Sequence, residues 1–80
     1  MSLIITVKNM ANGSTIRMEV ELEDRIGEII CSAAEYWKKD AGAFVLKKGR
    51  SLLISTMTMH EAGIVTDDML EMIPDPEGGA

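Results

Sequence analysis

The sequence predicts an α+β fold in which a mixed sheet of about five strands packs against one α-helix and a one-turn helix. Three observations predict this fold. A hairpin signal opens the chain, the hydrophobic period then changes from two to that of a helix, and short apolar segments separated by turn residues follow. The 80 residues are enough for one small domain and too few for two.

The first predicted element is a β-hairpin over residues 3–22. Residues 3–8 are mostly β-branched and apolar, as in strands. Asn12 and Gly13 then give a strong tight-turn signal, because both residue types tolerate a positive φ. Beyond the turn, even positions from Ile16 to Leu22 are apolar and the odd positions between them are charged. This alternation is typical of a strand with one buried face.

A helix with one apolar stripe is predicted next. Its stripe residues recur at helical spacing and are Ile26, Ile29, Ile30, Ala33 and Trp37. Asp24 is the expected N-cap, and residues 40–42 are expected to end the helix. Cys31 lies beside the stripe, where we expect a partly buried, unreactive thiol.

The second half of the chain is predicted to form short elements joined by turns. We expect strands at residues 43–46, 52–54 and 69–73, with a polar turn at 47–50. Residues 58–64 contain a Thr cap, a glutamate three residues later and a terminating glycine, which predicts one helical turn. We therefore assign residues 1–73 to a single domain and residues 74–80 to a flexible acidic tail.

The inward-facing apolar positions of these elements predict the core. Phe, Tyr and Trp occur once each, so this core must be mainly aliphatic. Its expected members are Leu3, Ile5, Val7, Ile16, Met18, Val20, Ile26, Ile30, Ala33, Phe44, Leu52, Ile64, Leu70 and Met72.

Composition argues against several functional classes. A net charge of −5 without a basic block disfavours nucleic acid, and no apolar run approaches the roughly 20 residues of a membrane span. One Cys and one His provide neither an internal disulfide nor a zinc site, and His60 is expected at the surface. No catalytic constellation or phosphate loop can be assembled. We expect a cytoplasmic, monomeric protein that is not an enzyme and holds no metal or cofactor.

The order and residue types of the segments resemble ubiquitin over residues 3–79. Residues 3–8 and 15–21 resemble the first two strands of that family, and residues 49–52 resemble the stretch after its third strand. Residues 58–64 resemble its one-turn helix. The resemblance implies the β-grasp fold, which several unrelated functions share.

The resemblance also implies a chemistry for the diglycine of Gly78 and Gly79, which lies as far past Leu70 as in ubiquitin. In the family, the terminal glycine carboxylate is adenylated and then passed to a thiol or a lysine. Ala80 follows the diglycine here, so a peptidase would have to remove it. Residues 74–77 are acidic and contain two prolines, whereas ubiquitin has an apolar-basic alternation, which implies a cognate activating enzyme.

A binding surface is implied as well. Met10, Val45 and Ile73 fall where ubiquitin carries the apolar patch that most of its partners bind, and Glu71 stands in place of the central His of that patch. Exposed apolar residues grouped on one sheet face usually mark a partner surface.

Three functions stay open from the sequence. The first is a covalent modifier attached through Gly79. The second is a non-covalent interaction module, like the ubiquitin-like accessories of type VII secretion or the subunits of multicomponent monooxygenases. The third is a sulfur carrier with a terminal thiocarboxylate. The expected partners are proteins in every case: an activating enzyme and a deconjugating peptidase, or a secretion or enzyme complex.

Overall fold

The computed structural model describes residues 2–75. The elements in chain order are β1 (Ser2–Asn9), β2 (Thr15–Glu21), α1 (Ile26–Trp37), a 3₁₀ helix (Ala41–Ala43), β3 (Phe44–Lys48), β4 (Ser51–Leu52) and β5 (Met69–Pro74). The five strands form one sheet in the order β2-β1-β5-β3-β4. β1 and β5 run parallel and the other neighbours antiparallel, so the predicted mixed sheet with one helix is confirmed.

The predicted hairpin is formed by β1 and β2, which pair along their lengths without a slip. The connecting residues include Gly13, whose φ is 77°. The carbonyl of Asn9 accepts the N–H of Gly13 at 2.7 Å, and its Oδ1 accepts the N–H of Ala11 at 2.9 Å. Asn9 is itself buried, so a polar residue that the pattern does not single out organises the turn.

The core lies between α1 and the inner face of the sheet. Its buried members are Leu3, Ile5, Val7, Val20, Ile26, Ile29, Ile30, Ala33, Leu46, Met59, Ile64, Leu70 and Met72. Three residues predicted in the core, Ile16, Met18 and Phe44, are half-buried and pack against it. Leu46 and Met59 are fully buried although the pattern does not place them in the core.

The predicted burial of Leu52 is wrong. Leu52 pairs with Lys47, and Lys47 pairs with Glu71 of β5. Directly paired residues point to the same sheet face, so all three side chains lie on the face opposite α1. Leu52 is accordingly 56% exposed, whereas the next residue, Leu53, packs against the core. β4 has two residues, too few for alternation to reveal its inner face.

The predicted helix cap is also wrong. The N-cap is Arg25, whose N–H donates to Glu28 Oε1 at 2.8 Å. Asp24 Oδ2 instead accepts the N–H of Glu21 at 2.8 Å and closes the turn that leaves β2. The side chain of Asp24 therefore stabilises the turn between β2 and α1 and does not cap the helix.

The helix ends before the boundary predicted at residues 40–42. Lys38 adopts a left-handed conformation with a φ of 58°, and the N–H of Lys39 donates to the carbonyl of Ala34 at 2.7 Å. Of the residues predicted to end α1, Asp40 caps the 3₁₀ helix, and Ala41 and Gly42 lie within it. β3 then continues through two lysines that the sequence assigns to a turn, because both pair with neighbouring strands.

Gly27 has a packing role in the first turn of α1. Its N–H donates to the carbonyl of Ser55 at 2.9 Å, and a Cβ on Gly27 would lie 3.2 Å from the same oxygen. This close approach explains a glycine where helix propensity favours other residues. The contact attaches the loop after β4 to the helix.

Residues 58–64 form successive hydrogen-bonded turns and not a regular helix. The predicted cap is nevertheless present, since the N–H of Thr58 donates to Glu61 Oε1 at 2.9 Å and the N–H of Glu61 donates to Thr58 Oγ1 at 3.1 Å. The hydrogen bond from the Thr58 N–H stabilises the ionised carboxylate and lowers the pKa of Glu61 below its ordinary value of 4.5.

β5 extends one residue past the predicted domain boundary. Pro74 pairs with Phe44, and the N–H of Asp75 donates to the carbonyl of Ala43 at 2.8 Å. A proline is tolerated here because the pairing between β1 and β5 stops at Met72, so no strand partner requires its missing N–H. The rest of the predicted flexible tail, residues 76–80, lies outside the described residues.

Candidate functional site

The sheet face opposite α1 carries the predicted binding surface. Leu70 and Met72 of β5 are fully buried on the inner face. Side chains alternate along a strand, so Glu71 and Ile73 point outward. We call Met10, Val45, Glu71 and Ile73 together the outer patch.

Val45 and Ile73 form the apolar centre of the outer patch. They are directly paired in the antiparallel ladder between β3 and β5, which brings their side chains side by side. Both are half-buried. A solvent-facing sheet side usually carries polar residues, so an apolar pair at this position is suited to contact with a partner.

Met10 completes the patch from the β1 side. It directly follows β1, and its N–H donates to the carbonyl of Met72 at 3.0 Å. Asn9 pairs with Met72, so one further step of this register brings Met10 next to Ile73. Met10 is 42% exposed. Three apolar residues that are distant in the sequence are therefore brought close together by β3, β5 and the turn after β1.

A charged row borders the apolar centre. Glu71 pairs with Lys8 on β1 and with Lys47 on β3. Lys47 Nζ lies 3.5 Å from Glu71 Oε1, in a partly exposed ion pair that contributes at most about 1 kcal/mol. The two lysines offset the negative charge of Glu71, and the row gives the patch a polar side that can orient a partner.

Two further apolar residues on this face were not predicted as part of the patch. Leu52 pairs with Lys47 at the end of the charged row, and Met69 lies two residues before Glu71. They are 56% and 53% exposed. The alternation of inward and outward side chains along β5 indicates that Met69 points outward. The outward position of Leu52 follows only from its pairing with Lys47.

The turn that leads into β5 is held by Asp68. Lys48 Nζ is 2.8 Å from Asp68 Oδ2, and the N–H of Val65 donates to the same oxygen at 2.9 Å. Burial acts to raise the pKa of Asp68, but the Lys48 and Val65 bonds outweigh it and lower that pKa below 3.8. Lys48 also donates to the carbonyl of Gly63 at 3.1 Å, which links β3 to this turn.

Other candidate chemical groups are dispersed. Cys31 is exposed, so its predicted partial burial is wrong; it lies on the solvent side of the helical stripe. His60 is exposed, as expected. Within residues 2–75, no group of three or more His, Cys, Asp or Glu residues could hold a metal ion. In the same range, no helix combines the length and apolarity needed to cross a membrane.

The predicted attachment residues Gly78, Gly79 and Ala80 lie outside the described residues. The described residues end at Asp75, two residues after Ile73. The N–H of Asp75 donates to the carbonyl of Ala43, two residues before Val45 of the outer patch.

Comparison with known proteins gives one kind of match. No protein-family model matches the sequence, and no curated protein matches it. The structure is similar to the ubiquitin of Caldiarchaeum subterraneum, with a TM-score of 0.86, 18% sequence identity, and coverage of 94% of this chain and 95% of that chain. A similarity at this level of identity establishes architecture. The chain has the ubiquitin-like β-grasp fold.

Proposed function

We propose that this protein is a ubiquitin-like modifier, attached to its targets through Gly79 and bound by partner proteins through the outer patch. The observation that carries the proposal is the position of the patch on β5. The same strand that presents Ile73 leads to the diglycine, and Gly79 follows Ile73 by six residues. The surface proposed for recognition and the segment proposed for attachment are thus close together in the sequence.

Attachment requires a free carboxylate on Gly79. Hydrolysis of the peptide bond between Gly79 and Ala80 releases alanine and produces that carboxylate. An activating enzyme then joins it to AMP from ATP with release of pyrophosphate, and an enzyme thiol displaces the AMP. Finally, the amine of a target lysine displaces the thiol and forms an isopeptide bond.

The sequence of the tail supports this chemistry and a cognate enzyme. Two residues without Cβ atoms can pass through a narrow enzyme channel that larger residues would block. Residues 74–77 contain two acids and no base, so the channel that binds them should be basic. Glu71 in the outer patch likewise favours receptors that differ from those of ubiquitin.

Expression of tagged variants in the native cell tests the proposal. The wild-type chain should form higher-mass adducts with other proteins, and Gly79→Ala should abolish them because a Cβ no longer fits the channel. Ala80→Ser is the matched control, since it changes the neighbouring residue and keeps the diglycine. Equal adducts from the wild type and Gly79→Ala, or none from either, would contradict attachment through Gly79.

A non-covalent interaction module is the second candidate. It is favoured by Leu52 and Met69, which extend the exposed apolar area of the outer face and need no tail chemistry to bind a partner. For such a module, Ile73→Asp should abolish the copurification of a partner and Gly79→Ala should leave it unchanged. A thiocarboxylate on Gly79 would instead assign the protein to the sulfur carriers.

A further inference from the structure

β2 is an edge strand that is open to pairing. No strand in the described part of the chain pairs with its outer side. Its pairing with β1 is continuous over seven residue pairs, and β2 contains no proline. Natural proteins block edges with prolines, bulges, very short strands or charged side chains. The opposite edge strand, β4, has two residues and is short in this way, whereas β2 has seven. β2 does carry charged side chains, but Arg17 and Glu19 have opposite signs, so a suitable register can pair them.

The direction of each backbone group along β2 follows from the hairpin. The N–H of Asn9 donates to the carbonyl of Ser14 at 2.7 Å. Hydrogen-bonded pairs alternate in an antiparallel ladder, so the even-numbered residues of β2 bond to β1 and the odd-numbered residues direct N–H and C=O outward. The N–H of Glu21 donates to Asp24 Oδ2 at 2.8 Å, which ends the open edge before Glu21.

We propose that a second copy of this chain pairs antiparallel with this edge, with Met18 opposite the partner's Met18. Arg17 then lies opposite the partner's Glu19, and Glu19 opposite the partner's Arg17. These four residues present outward backbone groups, so they can form four backbone hydrogen bonds between the copies. Their oppositely charged side chains face each other on the exposed side of the joined sheets.

The charge pattern selects this register among the symmetric ones. Pairing about Arg17 or about Glu19 would put two like charges directly opposite each other, which is destabilising. Pairing about Ile16 would set Arg17 against a threonine, and pairing about Val20 would set Glu19 against a glutamate. The register about Met18 alone forms two opposite-charge pairs and no like-charge pair.

The inner side of the strand favours the same arrangement. Ile16 and Met18 face the helix side and are half-buried, because the sheet ends at their strand. In the proposed dimer, Ile16 contacts the partner's Val20 and the two copies of Met18 contact each other. Their exposed apolar area is thereby removed from water, which stabilises association.

The proposed dimer leaves the candidate functional site free. β1 separates β2 from β5 and β3, the strands that carry the centre of the outer patch. This inference therefore does not depend on the proposed function, and either one can fail without the other.

Sedimentation velocity over a concentration series up to about 1 mM tests the proposal, since a dissociation constant in that range corresponds to about 4 kcal/mol. The wild type should form dimers. Arg17→Glu and Glu19→Arg should each weaken dimerisation about tenfold or more, because each turns two opposite-charge pairs into like-charge pairs. The double variant R17E/E19R should restore dimers. A monomer at every concentration, or a double variant no better than the single ones, would overturn the proposal.

Amide hydrogen exchange locates the interface. Protection of the Arg17 and Glu19 amides should rise with protein concentration, while the amide of Met18, already bonded to β1, should be protected at every concentration. Dimers without this change at residues 17 and 19 would refute the β2 interface. All three variants at these exposed sites should keep the circular dichroism spectrum of the wild type, which separates loss of pairing from loss of fold.

Discussion

Ile30→Ala should destabilise the protein strongly, because Ile30 is 5% exposed and belongs to the core beneath α1. The substitution removes three carbon atoms, and at about 0.8 kcal/mol for each buried methylene the transfer loss is about 2.4 kcal/mol. Incomplete collapse of the cavity adds to this loss, so we expect about 3 kcal/mol. A chain of this length has a total stability of about 4–12 kcal/mol.

Thermal unfolding followed by circular dichroism measures the effect. In a domain of this size, 1 kcal/mol corresponds to about 4–8 °C, so the midpoint should fall by about 12–24 °C. An unchanged midpoint would refute the packing of α1 on the sheet.

Leu52→Ala is the matched control, because it also shortens an aliphatic side chain. Leu52 lies on the exposed outer face, so its loss should change the free energy of unfolding by about 0.5 kcal/mol or less. If Leu52→Ala destabilised the protein as much as Ile30→Ala, the register of β4 would be wrong.

Three further substitutions test individual contacts, each by denaturant unfolding. Ile73→Asp should cost about 1 kcal/mol, less than Ile30→Ala, because Ile73 is half-buried and one side meets solvent; a larger loss would show that the outer patch is covered. Asp68→Asn should destabilise the protein at neutral pH. The pKa of Asp68 in the folded protein is lower than the ordinary value of 3.8, so its ionised form stabilises the fold at pH values above 3.8. That difference should shrink as the pH falls through the lower folded-state pKa, and a difference independent of pH would contradict the ion pair with Lys48. Glu28→Ala should cost about 1 kcal/mol by removing the acceptor for the Arg25 N–H at the start of α1, and no loss would contradict that cap.

Long, regular elements could be predicted because their information is local. Apolar and polar residues alternate over the seven residues of β2, and Gly13 supplies the positive φ of the turn before it. The hairpin can therefore be predicted without knowledge of the tertiary structure. The helical stripe likewise identifies the buried side of α1. Inward Leu70 and Met72 then define the outward side of β5, which is why alternation alone leads to Glu71 and Ile73.

Short elements could not be predicted because their partners define them. Leu52 lies on the outer face of the sheet because it pairs with Lys47. A strand of two residues is too short to show an alternation of apolar and polar residues, so the sequence does not reveal which face Leu52 occupies. Met59 is buried within a turn, where no hydrophobic period exists, and its N–H donates to the carbonyl of Asp24 at 2.8 Å. The position of Met10 in the outer patch follows from the resemblance, and its geometric cause is the bond to Met72.

The most direct test of attachment through Gly79 is mass spectrometry of the protein recovered from its native cell. The account predicts a chain one alanine lighter than the full sequence, together with peptides in which the Gly79 carboxylate is joined to a lysine side chain of another protein. Intact Ala80 in every molecule, with no peptide linked through Gly79, would contradict it.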